Sequence, residues 1–265
     1  MNSKVENRRR EISRLVKEKY EVTVTDMAAL FSVTMETIRG DFDYLAEQEG
    51  FVRGHGNLTR PEKAKYKEHY LFHERQLLQK EEKKQICKKA AELITDGDSI
   101  YLDSGSTVTY LLPELTEKKG LTIVTNSIAC LFCYIMEGYQ EAFKEQGHRF
   151  LFLGGEVEPN IRMTYGTFFE QCVTEISYDR VFFSADALDM DFGCSNVDYQ
   201  AYSAIKPVFR QVRNRILLAD SSKFNRKAAY RVAGWKEIDC LITARDLKDD
   251  WRIFLENKRI PYFQV

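Results

Sequence analysis

Apolar and polar positions follow two different rhythms along this chain. Over residues 5–20, Ile12, Leu15, Val16 and Tyr20 recur at helical spacing, and charged side chains fill the other face. Val22-Thr23-Val24 is a short extended stretch. Thr25 is placed to cap a second, short helix through Met27, Ala28, Leu30 and Phe31, with Asp26 where the helix dipole favours a negative charge. Ser32-Val33 is a turn. Thr34 then caps a third helix, which buries Ile38, Phe42 and Leu45 and shows Glu36, Thr37, Arg39, Gly40 and Asp43 on its opposite face. Gly50 ends that helix. Phe51-Val52-Arg53 and Leu58-Thr59-Arg60 flank Gly54-His55-Gly56-Asn57 as a tight hairpin.

Residues 61–80 are charged and aromatic without a sharp period and read as a linker. From Glu81 onward, helical and strand patterns alternate. Helices are expected over 81–94, 107–115, 128–136, 168–176, 200–212 and near 251–255. Strands are expected over 99–103, 121–125, 149–153, 180–183, 216–219 and 240–243, with a last one near Tyr262. Such alternation predicts a largely parallel sheet covered by helices on both faces. The expected organisation is a first domain over 1–60, a linker over 61–80 and a larger domain over 81–265.

Composition narrows the class. The chain has 265 residues, 44% of them apolar and 30% charged, as in soluble globular proteins. No apolar run approaches the roughly 18 residues that span a bilayer, and the charged start MNSKVENRRREISRL lacks a signal-peptide core. A cytoplasmic protein without membrane contact is the expectation. The net charge of −1 excludes a generic nucleic-acid coat but leaves room for local basic clusters. These occur at Arg8-Arg9-Arg10, at Arg39, Arg53, His55 and Arg60, and at Lys63, Lys65 and Lys67, the last of which reads as solvated surface. Cys130 and Cys133 form a C-x-x-C inside an apolar helical segment, with no second pair or close histidines. Buried, reduced thiols are expected there, with no metal and no cofactor.

Two short helices joined by a tight turn and followed by a basic hairpin suit a DNA major groove, which admits one helix. The groove-facing residues would be Thr34, Met35, Glu36, Thr37 and Arg39, with Arg53 and His55 against the neighbouring backbone as a wing. By itself the pattern also fits a small helical protein-binding domain. With T-I-R-x-D, E-G-F-V-R and H-G added, the chain resembles the DeoR family of bacterial transcriptional regulators. Ala28, Phe31, Val33, Thr37, Ile38, Arg39, Asp41, Leu45, Gly50, Arg53, His55 and Gly56 stand in register with that family's pattern. Gly40 replaces a second arginine, and Asn57 replaces a hairpin glycine.

Four polar loops follow expected strands in the larger domain: Asp103-Ser104-Gly105-Ser106-Thr107, Thr125-Asn126-Ser127, Gly154-Gly155-Glu156 and Asp220-Ser221-Ser222-Lys223. Each is an ordinary cap or glycine turn alone. Together, at the carboxyl ends of strands where ligands collect in open α/β sheets, they suggest a shared anion pocket. Lys206 could add charge to it. These segments also match the DeoR sensor domain, which is similar to ribose-5-phosphate isomerase, glucosamine-6-phosphate deaminase and coenzyme A transferases. The resemblance implies a phosphorylated sugar as effector. It places Asp103, Ser104, Gly105, Ser106, Thr107, Thr125, Asn126 and Lys223 on the phosphate side, and Gly154, Gly155, Asp220 and Lys206 on the sugar side. Where the family has G-A-x-G, this chain has Ser184-Ala185-Asp186-Ala187. Tyr202 stands where an acidic residue is usual. Asp186 and Ala187 would shrink and acidify the pocket.

The expected fold is therefore α/β: an N-terminal winged helix-turn-helix domain plus a C-terminal Rossmann-like, mostly parallel α/β sensor domain. The expected function is a non-enzymatic DNA-binding regulator, a repressor of a carbohydrate-metabolism operon. It would bind double-stranded operator DNA as a homo-oligomer, dimer or tetramer, under control of a phosphorylated sugar. Two alternatives stay open: a sugar-phosphate isomerase or deaminase, and a DNA-binding regulator whose pocket has decayed.

Overall fold

The computed structural model describes residues 3–19, 21–54, 56–59, 72–244 and 247–265. The chain divides into two compact units, Met1–Tyr70 and Leu71–Val265.

The first unit contains α1 (Ser3–Lys19), β1 (Glu21–Thr23), α2 (Val24–Phe31), α3 (Met35–Glu49), β2 (Val52–Arg53) and β3 (Asn57–Thr59). Ile12, Leu15 and Val16 of α1 and Ile38, Phe42 and Leu45 of α3 share one core with Val22, Met27, Phe51 and Leu58. The strands form an antiparallel sheet in the order β1-β3-β2. The cap of α2 is Thr23, not the expected Thr25: its Oγ1 accepts from the Asp26 amide at 3.1 Å. Thr23 is the last residue of β1, so its backbone is already extended, as an N-cap requires. Ser32 takes the left-handed conformation that stops α2, and Thr34 caps α3 by accepting from the Thr37 amide at 3.2 Å. Gly50, at φ 71°, ends α3 where a side chain would be strained. His55 and Arg60 lie outside the described residues.

The second unit opens with α4 (Phe72–Leu77) and α5 (Lys80–Glu92). The linker expected up to residue 80 thus gives way earlier, because Phe72 is 2% exposed and anchors the chain. The main strands are β4 (Ser99–Leu102), β5 (Thr122–Thr125), β6 (Arg149–Phe152), β9 (Tyr178–Phe183), β12 (Val212–Ala219), β14 (Cys240–Thr243) and β15 (Tyr262–Gln264). They form a seven-stranded sheet in the order β15-β14-β12-β9-β4-β5-β6. Every pairing in it is parallel. Successive strand residues point to opposite faces and both faces are covered. Tyr101, Val181, Phe183 and Leu217 enter one core, and Ile100, Leu102, Phe182, Ile216 and Leu218 the other.

The chain runs from β4 outward through β5 and β6, then returns to place β9 on the other side of β4. That reversal puts a topological switch point between β4 and β9, where ligand crevices form in such sheets.

The connecting helices are α6 (Ile128–Met136), α7 (Tyr139–Glu145), α8 (Thr167–Thr174), α9 (Tyr199–Arg210) and α10 (Asp249–Lys258). The helix expected over 107–115 is instead two 3₁₀ turns, Val108–Leu111 and Pro113–Glu117. Pro113 lacks an amide hydrogen and cannot continue an α-helix from the preceding turn. Helix α7 was not expected. Nor were the hairpin of β7 (Glu156–Glu158) with β8 (Met163–Tyr165), or the small antiparallel sheet of β10 (Ala187–Asp189), β11 (Gly193–Asn196) and β13 (Tyr230–Ala233). Among the described residues no helix is long and apolar enough to cross a membrane.

Candidate nucleic-acid interface and ligand cleft

In the first unit, the core pattern of α3 leaves its other face to solvent. Thr34, Met35, Glu36, Thr37, Arg39, Gly40, Asp43 and Tyr44 are all exposed. Thr34 and Thr37 share a hydroxyl contact of 2.9 Å. The only ion-pair partner of Arg39 among the described residues is Glu36, one turn away at 3.8 Å. The side chains singled out at the start of this helix therefore stand exposed at its amino-terminal end, in polar contact only with one another among the described residues. Arg53 is placed differently. Its Nε donates to Asp43 at 2.9 Å and its Nη1 to the carbonyl oxygens of Gly54 and Asn57 at 2.9 and 3.3 Å. The guanidinium thus fastens the wing to α3. Arg8 and Arg9 are likewise engaged, each donating to the buried carboxylate of Asp41, which leaves Arg10 as the exposed member of that cluster.

In the second unit, a narrow cleft opens at the carboxyl ends of β4, β9 and β12. It is lined by Asp103, Ser104, Gly105, Ser106 and Thr107 after β4, by Ser184, Ala185 and Asp186 after β9, and by Lys223 after β12. Arg75 of α4 closes one side, and Asn196 and Asp198 another. The volume open to water is about 30 Å³, enough for a water molecule but not for a sugar phosphate. Ser184 crowds Gly105: a Cβ at that position would meet Ser184 Oγ and force that side chain to turn aside.

Six residues expected at this site do not line it. Thr125 is fully buried, donating to the Leu102 carbonyl at 2.7 Å and accepting from the Ser127 amide at 3.0 Å. Asn126 is also fully buried. It accepts from Tyr101 Oη at 2.8 Å and donates to the Thr164 carbonyl at 2.7 Å. Both brace strand ends internally, so the polar loop after β5 serves packing. Gly154 and Gly155 precede β7. A Cβ on Gly155, at φ +154°, would strike the Tyr165 carbonyl oxygen, so the glycine serves the hairpin. Lys206 lines a separate cavity with Tyr202 and Arg215, and its Nζ donates to the Val232 carbonyl at 2.8 Å. Asp220 is fully buried beneath the cleft.

Asp220 belongs to a buried charge pair that sequence reading missed. Lys83 of α5, 1% exposed, places Nζ 3.7 Å from Asp220 Oδ2 and 3.5 Å from Ser106 Oγ. It also donates to the backbone carbonyl of Arg75. Burial pushes the Lys83 ammonium down to about 8, against the opposing pull of Asp220, and nearby Lys223 lowers it further. Glu82 accepts from the amide and hydroxyl of Ser221, both at 2.8 Å. Helix α5 is thereby tied to the loop after β12. The expected helix over 81–94 carried no sign of either contact.

Arg75 was also missed, because its segment read as linker. Its Nη1 donates to Asp186 Oδ1 at 3.0 Å. Asp186 Oδ2 accepts from the Val197 amide at 3.0 Å. The acid at the variable position of the G-A-x-G pattern is therefore paired. Asp103, which shares the cleft with Asp186 and Asp198, has no ion-pair partner among the described residues. Burial lifts it to about 6, partly offset by hydrogen bonds from the Ser104 and Ser184 amides, while Asp186 pushes it up further. Lys223 is half-buried, and among the described residues its ammonium has no hydrogen-bond or ion-pair partner. The cleft thus gathers two cations, four hydroxyls and three carboxyls, a set that can hold an anion once its carboxyls are neutralised.

The cysteines carry no comparable chemistry. All six are free, and burial raises Cys130 to about 11 and Cys133 to about 12, far from thiolate formation at neutral pH.

Comparison with known proteins matches both units to one family. The model of the DeoR-like helix-turn-helix domain matches residues 8–64, and that of the DeoR C-terminal sensor domain matches residues 78–245. The chain is 26% identical to the glycerol-3-phosphate regulon repressor of Escherichia coli (strain K12), over 88% of each chain. It is 29% identical to the lactose phosphotransferase system repressor of Streptococcus mutans, over 92% of this chain and 93% of that one. It is 24% identical to the HTH-type transcriptional regulator IolR of Bacillus subtilis, over 90% and 91%. Among solved structures, ribose 5-phosphate isomerase A from Methanocaldococcus jannaschii aligns at 18% identity and a TM-score of 0.37, over 55% of this chain and 54% of that one. With both of its units matched by the corresponding family models, the chain belongs to the DeoR family of DNA-binding transcriptional regulators.

Proposed function

We propose that this protein is a cytoplasmic repressor of a carbohydrate-metabolism operon, whose grip on operator DNA is set by a phosphorylated sugar bound in the cleft of the second unit. The observation that carries the reading is the free amino-terminal face of α3, where Thr34, Glu36, Thr37 and Arg39 are exposed while Ile38, Phe42 and Leu45 hold the helix to its core. Arg53 serves this surface by fixing the wing, and His55 belongs to the same proposed contact set. One recognition helix covers too few base pairs for genomic specificity, so the working form is a homo-oligomer on paired half-sites, joined through the second unit.

The cleft residues that receive the effector are Asp103, Ser104, Gly105, Ser106, Thr107 and Lys223. Regulation follows if the effector has different affinities for the DNA-competent and DNA-incompetent states. The second unit acts as a receptor and not as a catalyst. Of the three carboxylates that could serve as acid or base, Asp186 and Asp220 are already held in ion pairs.

Fluorescence anisotropy with duplex DNA from upstream of the protein's own gene tests this. Salt-sensitive binding that one member of a sugar-phosphate panel weakens is the expected result. Absence of binding to any such duplex sinks the DNA reading. One observation favours a second reading, in which the cleft is merely structural: its volume is about 30 Å³. Thermal-shift screening separates the two, since a structural cleft gains no stability from any phosphorylated sugar.

A further inference from the structure

We propose that Arg75 is the anion-reading group of the cleft and that Asp186 is its internal competitor, a carboxylate occupying the guanidinium until a phosphate dianion displaces it. The inference rests on the reading of the cleft as the effector site.

Three observations carry it. First, Arg75 is anchored for recognition. Its backbone carbonyl is gripped by the buried Lys83, and Lys83 is in turn held by Asp220. Second, the guanidinium is only partly used. Nη1 is bound to Asp186, while Nε is buried and has no hydrogen-bond acceptor among the described residues. A buried donor without an acceptor is unfavourable, and a phosphate with three oxygens can take two donors of the arginine fork at once. Third, Lys223 lines the same cleft with no partner among the described residues, so a second cation is ready for a second negative charge.

Asp186 sets the charge threshold. A monocarboxylate exchanging for Asp186 trades one carboxylate for another and gains nothing at Arg75. A phosphomonoester brings two negative charges to Arg75 and Lys223 and so outcompetes the side chain. The ligand class is therefore a phosphate monoester or free phosphate, and sugar acids that carry only a carboxylate are excluded. The small open volume follows from the same contact. The Arg75–Asp186 bridge and Ser184 over Gly105 fill the space that a ligand would take.

Isothermal titration calorimetry on the full-length protein tests the inference, with inorganic phosphate, glucose 6-phosphate and gluconate as probes. D186N keeps an oxygen to accept from the Val197 amide but loses the charge. It is expected to bind phosphate and glucose 6-phosphate roughly tenfold more tightly than the wild type. R75Q is expected to lose both probes in the wild-type and D186N backgrounds, and gluconate is expected to fail on the wild type. K223A reports on the site itself and weakens both phosphates in either background. Unchanged affinity in D186N, or in R75Q, overturns the competition. If K223A still weakens binding, the cleft survives as a phosphate site. If neither phosphate binds wild type or D186N, the effector-site reading fails along with this inference. A preference for glucose 6-phosphate over inorganic phosphate identifies the monoester as the source of the anion.

Discussion

Arg9 of α1 donates to Asp41 of α3 at 2.7 Å, and the carboxylate it meets is only 2% exposed. Arg8 binds the other oxygen of the same carboxylate at 2.5 Å. The guanidinium of Arg9 also lies 3.9 Å over the Tyr44 ring. Two arginines of the basic run near the amino terminus thus clamp the recognition helix from behind instead of meeting phosphate. Asp41→Ala removes the shared acceptor and leaves two half-buried cations unpaired. Loss of a fully buried partner costs about 3–5 kcal/mol, and the partial exposure of both arginines reduces this to about 2 kcal/mol. Urea unfolding followed by far-ultraviolet circular dichroism should show the first unit losing that much stability. An unshifted transition would mean that the clamp holds nothing.

Arg39 has the opposite character. It is exposed, with a single ion-pair partner among the described residues, on its own helix at 3.8 Å. Arg39→Ala should leave unfolding unchanged and weaken DNA binding. If the side chain meets a phosphate, the slope of log K against log salt should fall by about 1, with equal loss on all duplexes. If it meets a guanine edge, the loss should be confined to the cognate duplex at about 1–3 kcal/mol. Equal affinity of variant and wild type for every duplex rules out both.

Much of the first unit was legible in sequence because its signals are local. The caps Thr34 and Gly50 and the core positions Ile38, Phe42 and Leu45 depend on helical period and on a few backbone angles. The Thr25 expectation failed by two residues because pairing of Thr23 with Asn57 fixes where the extended backbone ends, and that partner is distant in sequence. In the second unit the parallel strands were legible as short apolar runs. The antiparallel trio β10-β11-β13 was not, since Gly193-Cys194-Ser195-Asn196 has no alternation and is buried throughout. For the cleft, the loops after β4 and β12 were found from their hydroxyls and glycine. Lys83 and Arg75 escaped because they sit on charged helices whose burial is decided by tertiary packing. Thr125 and Asn126 misled for the converse reason: a polar loop at a strand end can satisfy its neighbours as readily as a ligand.

Gly40 offers a gain-of-function test. It is exposed in the middle of α3, and a Cβ built there meets nothing within 4 Å. Gly40→Arg should stabilise the helix by about 1 kcal/mol, because glycine is costly in a helix interior. It also restores the cation that the family carries next to Arg39. Anisotropy should show tighter binding to duplex DNA with a salt slope steeper by about 1. Tighter folding with unchanged DNA affinity would place this face of α3 away from the phosphates.

The cleft should respond to pH through Asp103. Its carboxyl is lifted from 3.8 to about 6, first by burial, so the folded protein holds a proton over a range in which the unfolded chain has released it. The stability this group contributes is complete below the unfolded value and is lost as pH rises through about 6. An anion in the cleft disfavours the ionised form further, so binding should be accompanied by proton uptake. Sulfate is the suitable probe, because it does not itself titrate in the range, and Lys83, at about 8, stays protonated there. Calorimetry should show sulfate binding more tightly as pH falls from about 7 to about 5, with proton uptake visible as a dependence of the heat on buffer ionisation. Asp103→Asn should flatten that profile at the level the wild type reaches in acid. A sulfate affinity that stays constant over this range in the wild type would place the anion out of reach of Asp103.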